Sequence, residues 1–372
     1  MRSTASWLAH LRAGGTTPWA QYDAAEAERP ADSPPVEVPI TGAQQLEVLR
    51  RLNELGRVSP TLADRVLHAD LTGRGHGLLG LVGVERGRFG TPPVDPADLP
   101  YWELMRVVVG LVAEDVVSAG VAPLPPARRP RMRRVRYLLE GDRWLTVPAR
   151  DDLERRGYPR GGDRAVAFVV GRAMPSMLAD LWTWRSLVAD VPGWETWLGR
   201  LQRSDTLPED ADLAGLARRW ADQVGSEQVR VVTDPALLPR ILHVGSVAQP
   251  PRLSADAIEL ARSVGPMVGL LAGDARRELM LRGLAPRLAR LPGAPLRVPE
   301  EVAPWVAEQA ARVHRQLSEG HYPVLGDPAL VLASPTGSRT SAAGASPSEP
   351  AVLTLGLRIL LENDPDSRME GA

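Results

Sequence analysis

The apolar run Ala165-Val166-Ala167-Phe168-Val169-Val170 decides the fold and predicts a β-strand. Two other short apolar runs, residues 135–139 and 228–232, predict further strands. Between and around them, apolar residues recur with helical spacing in residues 148–156, 175–188, 194–201 and 212–224. Strands that alternate with helices indicate crossover connections, so we expect an α/β fold with a three-layer, parallel-sheet domain.

The chain before this region is expected to be mainly helical. Residues 43–55 place leucines near one helical face and end at Gly56, which predicts an amphipathic helix. Further helices are predicted over residues 60–68 and between Pro100 and Gly120, with one strand near residues 78–84. We therefore assign residues 1–120 to a mainly helical N-terminal region.

The domain bounds follow from composition. Residues 121–130 form a Pro/Ala/Arg-rich connector, which we take as the start of an α/β domain over residues 121–333. This domain is expected to include later helices at residues 254–271, 274–291 and 299–319. Residues 334–350 are rich in Ser, Ala, Gly and Pro, which predicts a disordered linker. Residues 351–372 are then a short helix and tail.

The composition excludes several kinds of chemistry. All 44 basic residues are arginines and there is no cysteine, which removes Schiff-base and phosphate-loop lysines, thiolates and disulfides. The six histidines are scattered singly, so we expect no metal site. A formal net charge of -1 argues against a nucleic-acid partner. No apolar stretch is long enough for a membrane span or a leader, so we expect a cytoplasmic protein.

One cluster of arginines has two interpretations. Arg131, Arg133, Arg134 and Arg136 follow Arg128-Arg129 within nine residues. Their guanidiniums could bind phosphate or sulfate together as an anion site. They could equally form a solvated linker that pairs with nearby carboxylates.

A group of tryptophans also has two interpretations. Trp182 and Trp184, followed by Arg185, precede three more tryptophans within about forty residues. Indole rings could line a ligand pocket, with Arg185 beside them. The same spacing is typical of core packing on helices.

The carboxyl end of strand 165–170 is a candidate ligand site. Parallel α/β sheets bind ligands beyond the carboxyl ends of their strands. Here that end continues as Gly171-Arg172-Ala173-Met174-Pro175-Ser176. Ser176, or the amides of the helix that follows, could meet an anion, with Arg172 as the counter-charge.

This part of the chain resembles the sulfotransferase-like proteins of actinobacteria. The resemblance lies in strand 165–170, Arg172, a Pro-Ser-x-x-x-x-x-x-Trp helix and Trp194-Glu195-Thr196-Trp197-Leu198. It continues through residues 216–234 and through Gly320-His321-Tyr322-Pro323-Val324-Leu325-Gly326-Asp327, so that it covers roughly residues 165–332.

The resemblance implies a P-loop-like fold and a sulfuryl donor of the 3'-phosphoadenylyl sulfate type. The family's donor loop is of the form Lys-x-Gly-Thr-Thr, and the nearest echo here, Gly15-Thr16-Thr17, has no lysine. For the second donor site, the resemblance implies Arg172 and Ser176 as cofactor-binding residues.

Two functions follow from this pattern. The missing donor loop favours a catalytically degenerate relative that acts as a binding or interaction module, with a protein partner and no cofactor. The alternative is an active nucleotide-dependent sulfotransferase with an atypical, lysine-free donor site. Whether the protein is an enzyme, and for which substrate, stays open at this point.

Overall fold

The computed structural model describes residues 2–27, 42–70, 77–82, 93–129, 136–158, 160–161, 165–332 and 345–364. The helices are α1 Arg2–Arg12, α2 Trp19–Ala27, α3 Ala43–Leu55, α4 Pro60–Leu67, α5 Tyr101–Ala119, α6 Arg143–Arg155, α7 Met174–Val188, α8 Trp194–Ser204, α9 Leu213–Val224, α10 Leu238–Ile241, α11 Ala255–Ala272, α12 Arg276–Glu278, α13 Ala285–Leu288, α14 Ala303–Glu319 and α15 Glu349–Asn363. The strands are β1 Arg136–Gly141, β2 Ala165–Val170, β3 Val229–Val232 and β4 Val324–Leu325.

These elements form two compact units. The helical unit comprises Met1–Gly120, Glu259–Leu291 and Pro347–Ala372, and the sheet unit comprises Val121–Ile258 and Pro292–Ser346. Residues 259–291, which the sequence analysis assigned to the α/β domain, thus belong to the helical unit. The bounds of independent domains stay a prediction.

The sheet unit is α/β, as predicted. Its four strands lie in the order β1-β2-β3-β4 and every neighbouring pair is parallel. Strand β2 is central and has the predicted bounds, and its entirely apolar sequence fits a strand with both faces covered. The pairing aligns Gly141, the last residue of β1, with Val170, the last residue of β2.

Helices cover both faces of this sheet, which gives three layers. One core cluster packs α6 and α10 against one face, through Leu139, Phe168, Leu153 and Leu238. The other packs α7, α8, α9 and α14 against the opposite face, through Ala167, Val169, Leu178, Trp197, Leu216 and Val306. Because the strands follow chain order while the first two connections cover opposite faces, these connections have opposite hands. One of them therefore departs from the usual right-handed crossover.

The structure corrects three of the predicted elements. Helix α6 begins at Arg143 rather than near Pro148, because the Asp142 side chain caps it and Pro148 is accommodated inside the helix. The single helix expected over residues 274–291 is interrupted by a π-helical turn, Leu279–Leu284. This turn ends directly before α13, whose second residue is Pro286. Of the strand expected near residues 78–84, the described part contains only an isolated bridge between Leu81 and Val94.

The C-terminal helix belongs to the helical unit. Helix α15 packs against α5 and α3, and four of its five leucines are buried. The predicted linker 334–350 is in part ordered, because Ala345 pairs with Leu296 and Ser348 caps α15. Residues 333–344 lie outside the described residues.

No helix in the described ranges combines the length and apolarity needed to cross a membrane.

The layered core predicts that replacing each of two leucines of the sheet unit by alanine changes the free energy of unfolding by very different amounts. Leu178 is fully buried on α7, whereas Leu332 is 44% exposed. Leu178→Ala should lower the free energy of unfolding by about 2–5 kcal/mol, because it removes packed apolar volume. Leu332→Ala should change it by about 0.5 kcal/mol or less. Urea denaturation of both variants checks this, and equal losses would contradict the described core.

Candidate functional site

The candidate site lies where β1 and β2 end side by side. The chain leaves β1 through Gly141-Asp142 and leaves β2 through Gly171-Arg172. The connection after β1 packs on one face of the sheet and the connection after β2 on the other. Such a divergence at the carboxyl edge is where parallel sheets form ligand crevices.

Gly141 shapes this edge. Its φ is +106°, and a Cβ at this position would lie 2.1 Å from the Val170 carbonyl oxygen, so only glycine fits. The turn lets the Asp142 N–H donate to the Val170 carbonyl at 3.0 Å. It also brings the Asp142 carboxylate to the start of α6, where Oδ1 accepts from the Trp144 N–H at 3.1 Å.

Arg172 pairs with two carboxylates. Its Nε lies 3.5 Å from Oδ2 of Asp142, and its Nη2 contacts Oδ2 of Asp180 on α7. The Asp142 side chain is 0% exposed, whereas that of Arg172 is 35% exposed. Arg172 therefore connects a buried carboxylate to the surface.

Burial governs the ionisation of this pair. Desolvation raises the pKa of the Asp142 carboxyl to about 6, and the Arg172 charge and the amides of Leu145 and Trp144 oppose the rise. Burial also lowers the pKa of Arg172, although Asp142 favours its charged form. The Asp142 Oδ2 atom accepts no hydrogen bond from the described residues. Its partner is the guanidinium charge.

A second arginine, Arg252, brings the net charge of the groups around Arg172 to zero. The exposed Arg252 is close enough to Arg172 to disfavour its charged form. The cluster thus contains the carboxylates of Asp142 and Asp180 and the guanidiniums of Arg172 and Arg252. With all four groups ionised its net charge is zero, so it presents no surplus of positive charge.

The start of α7 offers few donors to an anion. Ser176 lies in its first turn and is partly buried, but its N–H donates to the Ala173 carbonyl at 2.9 Å. The Met177 N–H donates to the same carbonyl, at 3.1 Å. Pro175 has no N–H to offer. The structure thus brings Arg172 and Ser176 to one edge of the sheet, and their role as cofactor-binding residues stays a prediction.

Of the predicted pocket residues Trp182, Trp184 and Arg185, the two tryptophans are buried in the core and Arg185 is partly buried. Trp182 is 0% and Trp184 5% exposed. Trp182 Nε1 donates to the Pro192 carbonyl at 3.1 Å, and its ring lies 5.5 Å from that of Trp194. The Arg185 guanidinium lies 5.9 Å from the centre of the Trp197 ring. The core interpretation of the tryptophans is therefore the one that the contacts favour.

The predicted anion-binding arginines are mostly not described. Arg131, Arg133 and Arg134 lie outside the described residues. Arg136 begins β1, and its side chain is not described. This part of the site prediction stays open.

The Gly15-Thr16-Thr17 segment belongs to the helical unit and follows α1. Its carbonyls accept hydrogen bonds from Asn53, Arg50 and Trp7 respectively, at 2.9, 3.2 and 2.9 Å. A phosphate cradle instead needs backbone N–H groups that point at the ligand. Here the carbonyls are the groups held by the protein.

Sequence reasoning missed Asp142 and Asp180. A signal for Asp142 was present, since Asp142 directly follows β1 and Arg172 lies two residues after β2. Because β1 and β2 are paired and parallel, residues just past their carboxyl ends lie at the same edge of the sheet. Among the described residues, no group of three or more His, Asp or Glu side chains is placed to hold a metal ion.

Comparisons with protein-family models, with curated proteins and with solved structures found no match for this chain.

The raised pKa of Asp142 predicts a pH-dependent effect of Asp142→Asn. The folded-state pKa of about 6 lies above the ordinary value of 3.8, so the folded protein favours the protonated form. The ionised carboxyl therefore costs stability above pH 6, and this cost fades as the pH falls towards 4. Asparagine keeps the shape and the cap without the charge. At pH 7.5 the variant should be more stable than wild type by about 1–3 kcal/mol, and the difference should shrink at pH 4.5.

Urea denaturation from pH 4.5 to 8 measures this difference. Asp327→Asn is the control, because Asp327 is also a helix cap but is exposed. Asp327→Asn measures the loss of a capping carboxylate at an exposed position. If Asp142→Asn lost more stability at pH 7.5 than Asp327→Asn, this would contradict the claim that the ionised Asp142 carboxylate destabilises the folded protein.

Proposed function

We propose that this protein is a non-catalytic binding or interaction module, a degenerate relative of the sulfotransferase-like proteins that it resembles. The charge balance around Arg172 is the observation that carries the proposal. Sulfuryl transfer needs surplus positive charge to clamp the donor's phosphates and to stabilise the group in transit. Arg172 already contacts Asp142 and Asp180, and no lysine exists in the chain to add charge.

Two further features support the same proposal. The N–H groups of Ser176 and Met177 at the start of α7 donate to Ala173, so they are not free for a phosphate. The Gly15-Thr16-Thr17 segment directs its carbonyls to neighbouring donors. At both places where the resemblance puts donor-binding groups, these backbone N–H and carbonyl groups therefore make internal contacts. The sulfotransferase-like family itself is supported by the sequence resemblance over residues 165–332.

The proposal predicts that nucleotide donors do not bind. Thermal unfolding is measured with millimolar adenosine 3',5'-bisphosphate, the product that a sulfotransferase would release, with ATP and sulfate as controls. A ligand at ten times its Kd would stabilise the native state by about 1.4 kcal/mol, which shifts the midpoint measurably. We expect no shift with any of the three.

A selective rise with the bisphosphate would contradict the proposal. If Arg172→Ala abolished that rise, the active sulfotransferase with a lysine-free donor site would be the correct alternative. Arg203→Ala is the matched control, because Arg203 is an exposed arginine on α8, outside this cluster.

A further inference from the structure

An exposed, proline-rich segment precedes β1. Residues 123–129 read Pro-Leu-Pro-Pro-Ala-Arg-Arg and belong to no helix or strand. Every one of them is exposed, and Leu124 keeps 49% of its surface in contact with solvent. The segment thus presents an apolar side chain beside three prolines to solvent.

The end of this segment is fixed to the sheet unit. The Arg128 N–H donates to the Arg155 carbonyl at the end of α6, at 2.7 Å. The Arg129 carbonyl lies against Gly157, where a Cβ would be 2.5 Å away and φ is +83°. The backbone is thus held in place while the side chains face solvent.

The prolines favour one extended conformation. Proline fixes φ near the polyproline II value, and this helix has three residues per turn. In that conformation Pro123, Pro126 and Arg129 share one edge, and Leu124 and Ala127 share the next. Such a ridge is already ordered before binding, which lowers the entropy cost of association.

The segment also has unbalanced charge. From residue 121 to residue 139 the sequence contains six arginines and no Asp or Glu. Arg128 and Arg129 are exposed and have no carboxylate partner among the described residues. A partner that supplies carboxylates would complement them.

We propose that residues 123–129 are a docking segment for a protein partner, which binds them as a polyproline II ridge. The partner presents a groove with aromatic walls for Pro123 and Pro126 and carboxylates for Arg128 and Arg129. This inference names the partner's chemistry for the proposed binding role and uses no residue of the Asp142–Arg172 cluster. An anionic polymer would need the arginines alone. The regular proline spacing favours the groove.

The chain contains a matched control for this segment. Pro292-Gly293-Ala294-Pro295-Leu296-Arg297 has the same Pro-x-x-Pro-x-Arg spacing as residues 123–128. Its backbone is already hydrogen-bonded within the protein. The carbonyls of Ala294, Pro295 and Arg297 accept hydrogen bonds from Ala255, Ala345 and Trp194, respectively. A groove cannot surround this second copy of the pattern.

The test titrates the full chain with an isolated SH3 domain, whose groove has aromatic walls and neighbouring carboxylates. We expect binding by the wild type. Pro123→Ala/Pro126→Ala should weaken it about tenfold or more, whereas Pro292→Ala/Pro295→Ala should change it by less than about twofold. Thermal unfolding of each variant shows that it is folded. Because Pro123 and Pro126 are exposed, their replacement should leave the midpoint near that of wild type.

Three outcomes would overturn the inference. The first is that the wild type does not bind the SH3 domain at millimolar concentration. The second is that the two proline variants lose equal amounts of affinity. The third is that Arg128→Gln/Arg129→Gln loses affinity while Pro123→Ala/Pro126→Ala keeps it. The last outcome would indicate an anion-binding surface. Binding of the bisphosphate would contradict the proposed non-catalytic role without testing the docking segment, and failure of SH3 binding would contradict the docking segment alone. The failure of one proposal can therefore be distinguished from the failure of the other.

Discussion

The coverage of β2 on both faces is the constraint on which the rest of the sheet unit depends. An apolar strand with α6 packed on one side and α7 on the other leaves the connections of β1 and β2 to diverge at their carboxyl ends. Charged groups that lie at this divergence are partly or wholly removed from water. They must then be paired, because an isolated buried charge is costly. The Asp142–Arg172–Asp180 cluster meets this requirement.

The same pairing determines what the edge can bind. Removing one member of a buried ion pair leaves the other uncompensated, so these side chains constrain one another. The Asp142 side chain is held in place because it caps α6 and follows the turn at Gly141. Arg172 extends from this carboxylate towards solvent. An anion at this edge would compete with two carboxylates that belong to the protein. The arrangement leaves Arg172 with carboxylates of β1's edge and of α7 rather than with an open site for an anion, which agrees with the proposed binding module whose partner surface lies elsewhere.

Much of the fold could be predicted from local patterns, and most of the site could not. Strand β2 was predicted with its bounds because its sequence is uninterrupted and apolar. Strand β4 was missed because it has two residues, both only partly buried. Pro148 suggested a helix start, but a stronger signal, the cap at Asp142, overrode it. Arg172 was identified by its place after β2. Its pairing depends on the register between strands, which no local pattern contains.

The carboxylates of Asp142 and Asp180 neutralise Arg172 in the structure. The most direct measurement is the binding of sulfate to wild type and to Asp142→Asn/Asp180→Asn, by thermal unfolding at fixed ionic strength. The double variant leaves Arg172 and Arg252 unopposed, so sulfate should raise its midpoint and leave that of wild type unchanged. Adding Arg172→Ala should abolish the rise. An equal rise in wild type and in the double variant would contradict the account.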